Sequence, residues 1–253
     1  MTRKRAAKAV SPRPAVVLVR PQEEGNVGAV ARAMANMGLA ELMLVEPATA
    51  LGEVAQARAV KARDVLEAAV RYPSLDAALA GFEVVIGTTA TRGRYLAEEP
   101  LTPRQLAPWL VAQGGGRVAL VFGPETSGLT QDDLARCTAV VRIPSSPRLP
   151  TLNLSQAVLI LAYELFLAGQ TADGPSSRLA EEDRPAPIDQ IEGLFAQVVP
   201  LLVRIGFSRH GGFEGVVRDL RRLGAKSRLT LREASILRGI CRRTAARLTR
   251  LGG

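Results

Sequence analysis

The chain has 253 residues, 47% of them apolar, and a formal net charge of +9, enough for one large domain or one domain with a small appendage around a real core. Its two cysteines, Cys137 and Cys241, lie far apart with no C-x-x-C spacing, which excludes a disulfide framework or a cysteine metal site and suits a reducing compartment. The longest apolar run, 154–168, is broken by Gln156 and Glu164 and is shorter than the ~20 residues that span a bilayer; no apolar segment follows the N-terminal basic residues as a secretion signal requires, so a cytoplasmic protein without a membrane anchor is expected.

Residues 1–13 carry five basic and no acidic side chains, a short positive arm. From there the chain alternates β-rich runs with helical stretches. Strands are predicted at Ala15–Val19, Glu41–Val45, Phe82–Thr88, Arg117–Phe122 and Ala139–Ile143. Between them, Val27–Met37 reads as a helix closed by Gly38, and Pro103–Gln113 as one opened by Thr102 with Pro103 in its first turn. Such alternation predicts an α/β fold, a mostly parallel sheet with helices on both faces, over residues 14–168. Leu152–Leu167 is apolar on most sides and is expected to be buried against the sheet or a partner subunit.

Residues 169–187 hold three prolines, two glycines and several charges, the composition of a linker. Beyond it, residues 188–253 read as a separate helical module. Ile188, Ile191, Leu194, Phe195, Val198, Val199 and Leu202 keep helical spacing, and Thr230 with Glu233 forms a capping box for a further helix expected to bury Ile236, Leu237 and Ile240. Residues 204–250 carry thirteen basic side chains against three acidic ones, so the stretch between arm and module is net acidic. Arg238 and Arg242, then Arg243, Arg247 and Arg250, recur at helical spacing. Rows of guanidinium groups match phosphate oxygens bidentately, which favours nucleic acid over a merely solvated face.

Familiar nucleotide signatures are missing: no G-x-G-x-x-G follows the first strand and no G-x-x-x-x-G-K-[ST] occurs. His210 is the single histidine, so neither a serine triad nor a histidine metal site can be assembled, and it reads as a turn residue. What remains is a series of polar clusters at strand ends or helix starts: Arg20–Met34 with Asn26 and Arg32; GTTATRGR at 87–94, joined by the turn around Glu125; and the proline-rich Ile143–Val158. Ligands of open α/β sheets bind at such strand ends.

Taken together, N-x-G-x-x-x-R at Asn26, Gly28 and Arg32, F-G-x-E-x-x-G-L at 122–129 and L-N-L-S-x-A-V at 152–158 resemble the SpoU branch of the SPOUT methyltransferases. The likeness covers roughly the first 170 residues. With GTTA at 87–90 it is nearest to the type that 2'-O-methylates the tRNA anticodon loop. The resemblance implies a C-terminal trefoil knot, S-adenosyl-L-methionine as cofactor, and a homodimer that uses no metal. It further implies a cofactor pocket of Thr88, Thr89, Ala90, Gly123, Ile143, Pro150, Thr151, Leu152 and Asn153, and a catalytic set of Arg32, Asn26, Glu125 and Ser155. Arg32 is the residue expected to stabilise the reacting hydroxyl, with the others positioning it or the ribose. Gly123 would let the backbone approach the cofactor. Leu149 and Pro124 depart from the family's usual wording near the nucleoside. Methylation of ribosomal RNA, or RNA binding without catalysis, are the alternatives to a tRNA substrate.

Overall fold

The computed structural model describes residues 13–90, 99–113, 116–171, 185–207 and 213–251. The arm at 1–12, most of the predicted linker, His210 and the end of the GTTATRGR segment lie outside the described residues. Six strands, β1 (Ala15–Val19), β2 (Leu42–Val45), β3 (Val70–Tyr72), β4 (Val84–Thr89), β5 (Val118–Phe122) and β6 (Ala139–Arg142), form one sheet in the order β3-β2-β1-β5-β4-β6. Every pairing is parallel. In chain order these are joined by α1 (Glu24–Asn36), α2 (Glu53–Ala59), α3 (Arg63–Glu67), α4 (Leu75–Leu79), α5 (Pro103–Ala112) and α6 (Gln131–Ala135), and followed by α7 (Leu154–Thr171).

The strands are continuous apolar runs because both faces of the sheet are covered. Along β1, Val16 and Leu18 enter one core with α1, α2, α3, α5 and α7, while Ala15, Val17 and Val19 enter another with α4, Phe82 and Cys137. Period-2 alternation thus feeds two cores, and each fully buried Val or Leu contributes roughly 1.5–3 kcal/mol. The five predicted strands are present to within a residue or two at each end. The sixth, β3, is three half-exposed or exposed residues at the sheet edge and leaves no alternating signal.

Local chemistry ends the helices where expected. Gly38 adopts φ +72, and its N–H and that of Leu39 reach the carbonyls of Ala35 and Met34, closing α1 in a Schellman turn. Thr102 and Gln105 form a capping box ahead of Pro103 on α5. Gly28 is fixed by packing: a Cβ there would stand 2.1 Å from the carbonyl oxygen of Ala55, because α1 and α2 touch backbone to backbone.

After α7 come α8 (Ile188–Arg204), α9 (Phe213–Ser227) and α10 (Leu231–Leu251), a helical module with a small core of Ala186, Ile191, Phe195 and Ala234. This module is docked on the sheet domain. Ile188 N–H donates to the Phe82 carbonyl at 2.9 Å, Gly81 N–H donates to Asp189 Oδ1 at 3.1 Å, and the Ile188 side chain joins the sheet's second core. Arg136 of α6 forms a bidentate pair with Asp76 of α4, Arg218 of α9 meets Asp132 at 2.6 Å, and Arg221 of α9 meets Glu192 of α8 at 3.1 Å. The hydrogen bond that Arg136 donates to Asp76 raises the guanidinium pKa further, and burial raises that of the Glu192 carboxyl.

Three sequence expectations are corrected. Residues 185–187 are not linker: Pro185 bridges to Thr230, and Ala186 is buried and donates its N–H to the Leu229 carbonyl. On α10 the residues facing α8 are Ala234, Arg238, Cys241, Ala245 and Leu248, so Ile236, Leu237 and Ile240 are exposed rather than buried. Ala234 packs with Ile191 and Phe195 of α8, and the larger apolar side chains lie on the other side of α10. Residues 169–171, read as the start of the linker, are the last turn of α7, a helix that leaves Leu159, Tyr163, Phe166 and Leu167 exposed along one edge at helical spacing. Among the described residues no helix is long and apolar enough to cross a membrane.

Replacing Gly28 by Ala drives a methyl group into the α2 backbone. It is expected to lower stability by about 1–3 kcal/mol in chemical denaturation, the usual cost of overpacking; an unchanged midpoint would refute the tight α1–α2 contact.

Candidate cofactor and substrate site

The carboxyl ends of β4, β5 and β6 open into a cavity of about 770 Å³. It lies beside the place where the sheet reverses its winding, since β1 leads outward to β2 while β4 and β6 lie beyond β5. Thr88, Thr89, Ala90, Gly123, Ile143, Pro150, Thr151 and Leu152, all expected at a cofactor site, line it. Asn153 does not, although its neighbours Leu152 and Leu154 do.

Each wall has a local cause. Gly87, inside β4, faces α6 so closely that a Cβ would sit 2.7 Å from Cys137 Sγ; this holds the strand end carrying Thr88, whose hydroxyl donates to the Val121 carbonyl at 3.0 Å. Cys137 itself is no nucleophile, because burial pushes its thiol up to about 12. Gly123 lines the cavity and also has a role in the turn itself. A Cβ there would meet the Gly128 carbonyl carbon at 2.2 Å and Leu129 N at 2.3 Å, so the turn folds back on Gly123 and the glycine serves the turn's own closure. Pro124 is buried within that turn and lines the cavity, whereas Leu149 is 69% exposed and lies outside the lining.

At the edge of the cavity three remote segments are tied by side chains. Glu125 Oε2 accepts the Gln22 backbone N–H at 3.0 Å, and its Oε1 accepts Asn26 Nδ2 at 2.9 Å. Asn26 Oδ1 in turn accepts Asn153 Nδ2 at 2.9 Å, and Asn153 Oδ1 accepts both the backbone N–H and the hydroxyl of Ser155, at 2.9 and 2.7 Å. A carboxylate offers acceptors alone, so it fixes the direction of every bond in this row and orients both amides. Asn153 is also the N-cap of α7, and Gln156 Oε1 accepts its backbone N–H at 3.3 Å, a capping box in N-L-S-Q. Residues read as catalytic thus carry local structure as well.

Arg32 is not brought to this row. It stands exposed on α1, outside the lining, with no hydrogen bond or ion pair among the described residues. Of the arginines expected to bind RNA, Arg242, Arg243 and Arg247 are exposed on α10, but Arg238 is half-buried and donates to Gln190 Oε1 at 3.0 Å, so it holds α10 to α8. The sequence reading missed the cavity's further wall altogether: Gly215, Arg218, Asp219 and Arg222 of α9. The signal for it was R-D-L-R-R at 218–222, basic residues at helical spacing interrupted by an acid, lost within the overall positive charge of the module.

A parallel sheet with a large cavity over its strand ends, edged by a row of oriented amides and joined to a basic helical module, defines a cofactor-binding α/β protein that handles an anionic partner. The chain belongs to the SpoU methylase family: the model of the SpoU rRNA Methylase family matches residues 13–163. A second model, that of the tRNA methyltransferase TrmJ C-terminal domain, matches residues 189–252. The chain is 39% identical over 238 residues to the tRNA (cytidine/uridine/adenosine-2'-O-)-methyltransferase TrmJ of Pseudomonas aeruginosa, covering 90% of this chain and 92% of that one. It is 40% identical to the tRNA (cytidine/uridine-2'-O-)-methyltransferase TrmJ of Citrobacter koseri, with 89% and 93% covered. It superposes on the crystal structure of TrmJ from Z. mobilis ZM4 with a TM-score of 0.79 at 33% identity, covering 90% of this chain and 97% of that one.

The lining suits S-adenosylmethionine, the cofactor that the family resemblance implies. Ile143, Leu152 and Leu129 offer apolar surface for a purine, and Thr88, Thr89 and Thr151 with neighbouring backbone groups offer donors and acceptors for sugar hydroxyls.

Substituting Glu125 by Gln places an amide NH2 against one of two N–H donors. The row should lose a bond and its direction, lowering stability by about 1–3 kcal/mol; equal denaturation curves for E125Q and the parent chain would show that the row is not mechanically important.

Proposed function

We propose that this protein transfers a methyl group from S-adenosylmethionine to a ribose 2'-hydroxyl in the anticodon loop of tRNA, in the cytoplasm, as a homodimer. The observation that carries this reading is the meeting of the cofactor cavity with the Glu125–Asn26–Asn153–Ser155 row, on a chain whose C-terminal module matches that of a tRNA methyltransferase.

Bound S-adenosylmethionine supplies an electrophilic methyl group on a positively charged sulfur. The protein's own part is to hold a ribose hydroxyl in line with that group and to steady the negative charge that grows on its oxygen. Glu125, Asn26 and Ser155 are positioning groups in this scheme: the row is rigid, and the unused lone pairs of Ser155 Oγ remain open to a hydroxyl donor. Arg32 serves as donor to phosphate and to the developing alkoxide. As a base it is unsuited, since a guanidinium has no lone pair free to accept a proton, so the proton leaves to a neighbouring acceptor or water.

Arg32 stands outside its own chain's cavity, and the exposed edge of α7, Leu159, Tyr163, Phe166 and Leu167, is a contiguous apolar stripe of the kind that subunits cover. In a homodimer joined across this stripe, Arg32 works toward the neighbouring copy's cavity. The threading of 143–153 from the sheet edge back to α7, which packs on α1 and α5, supports the trefoil knot of the family. Arg242, Arg243 and Arg247, exposed on α10, supply phosphate contacts. With 4% aromatic residues, shape and phosphate contacts are favoured over serial base stacking.

Incubating the pure protein with S-adenosylmethionine and either total tRNA or ribosomal RNA, then mapping the modified nucleotide, should place 2'-O-methylation in the tRNA anticodon loop; signal confined to ribosomal RNA would overturn the assignment. Arg32→Lys should retain cofactor affinity while turnover falls roughly 100-fold, the scale of losing one transition-state donor. Turnover equal to the parent's would remove Arg32 from the mechanism.

A further inference from the structure

The loop after β1 grips the cavity's turn in two places. At the first, Glu125 accepts from Gln22 and Asn26, and the Thr126 hydroxyl donates to Gln22 Oε1 at 3.0 Å. At the second, Arg20 Nη2 donates to Asp133 Oδ2 at 2.5 Å, in the first turn of α6. Between them the chain runs along the cavity, whose lining takes in Leu129, Gln131 and Leu134. Arg20 itself is not part of that lining.

The backbone of Arg20 is unusual. It adopts φ +50, the left-handed region that residues with a side chain seldom enter, and its N–H donates to the Val45 carbonyl at 2.8 Å. Such conformations persist only where the surroundings over-determine them, and they cluster at functional sites. Here two carboxylates flank the guanidinium, Asp133 and, at 3.7 Å, Glu46. Asp133 is the firmer partner, with a side chain 9% exposed against 53% for Glu46. Its Oδ2 also accepts the Thr130 N–H at 2.9 Å, so it cannot swing away without opening the cap of α6. A guanidinium that meets a carboxylate held in this way has its orientation fixed.

We infer that Arg20 is a positioning residue for methyl transfer. By tying the base of the loop to α6, it sets where Asn26, and with it the row that ends at Ser155, stands relative to the cofactor cavity. This rests on the row holding the ribose, as proposed above. The cofactor's own walls hang on β4, β5, β6 and the turn closed on Gly123. Loss of Arg20 therefore displaces the row and leaves those walls in place.

Arg20→Met keeps the aliphatic stem and removes the donors, and the full chain carrying it is compared with the parent. Amide hydrogen exchange over residues 22–27 should quicken about tenfold, while exchange in β5 stays as it was. On tRNA, kcat should fall about tenfold, the scale of a small misplacement of a reacting group. The KM for tRNA, and the calorimetric affinity for S-adenosylhomocysteine, should both stay within about twofold of the parent's. Arg20→Lys should recover part of kcat. Cofactor affinity falling in step with kcat, which a merely structural role would give, overturns the positioning role. So does a raised KM at unchanged kcat, which would make Arg20 an RNA contact, and so does unchanged exchange over 22–27. Faster exchange there with kcat unchanged overturns the part given to the row in methyl transfer, and the role of Arg20 with it.

Discussion

Glu125 can only accept hydrogen bonds, and that one-sidedness organises the site. Because its two oxygens take the Gln22 N–H and the Asn26 amide, Asn26 must turn its carbonyl toward Asn153, and Asn153 must turn its own toward Ser155. The row joins the loop after β1 and the start of α1 to the turn after β5, 99 residues on from Asn26 to Glu125, and to the start of α7, 127 residues on from Asn26 to Asn153. Parallel pairing of β1 with β5 is what brings the first two within reach, since adjacent parallel strands end side by side. The sheet thus sets the distance and the carboxylate sets the polarity. A carboxylate above the first turn of α1 is itself favoured by the unpaired N–H groups there.

Attachment of the helical module follows a different principle. Few apolar groups cross its boundary with the sheet domain, Ile188 being the main one, while Arg218 crosses it to Asp132 and Gln131 and Asp189 crosses it to the Gly81 N–H. Half-exposed pairs of this kind each contribute at most about 1 kcal/mol and are screened by salt. What they do well is set orientation, because guanidinium forks accept a narrow range of partner geometries. The cavity therefore has walls of unequal stiffness, hydrophobically packed strand ends on one side and an electrostatically held helix on the other.

Much of this was legible in the sequence because it is local. Buried parallel strands are apolar on both faces and stand out; Gly38, Thr102 and Thr230 mark helix ends through their own side chains or dihedral freedom. The cavity residues from Thr88 to Leu152 were found by family likeness at strand ends, where chemistry and motif coincide. Short α2, α3, α4 and α6, at five to seven residues, are too brief to show a helical period and owe their form to packing. The rotation of α10 was misread because periodicity locates an apolar face but not the neighbour it meets, and here Ala234 and Ala245 fit α8 more closely than Ile236 and Ile240 could. Arg238 was assigned to RNA on spacing, whereas its contact with Gln190 depends on that same rotation. The part played by α9 in the cavity depends on tertiary docking, which no local pattern encodes.

Gly123 carries a consequence for how the site moves. Its missing side chain lets the turn at 124–129 lie directly on the end of β5, with no atom's width to spare between the two. The floor of the cavity is therefore one solid piece with the sheet and cannot yield when a ligand enters or leaves. Across from this floor stands α9, so a ligand of the cavity touches at once a strand end packed without slack and a helix of the C-terminal module.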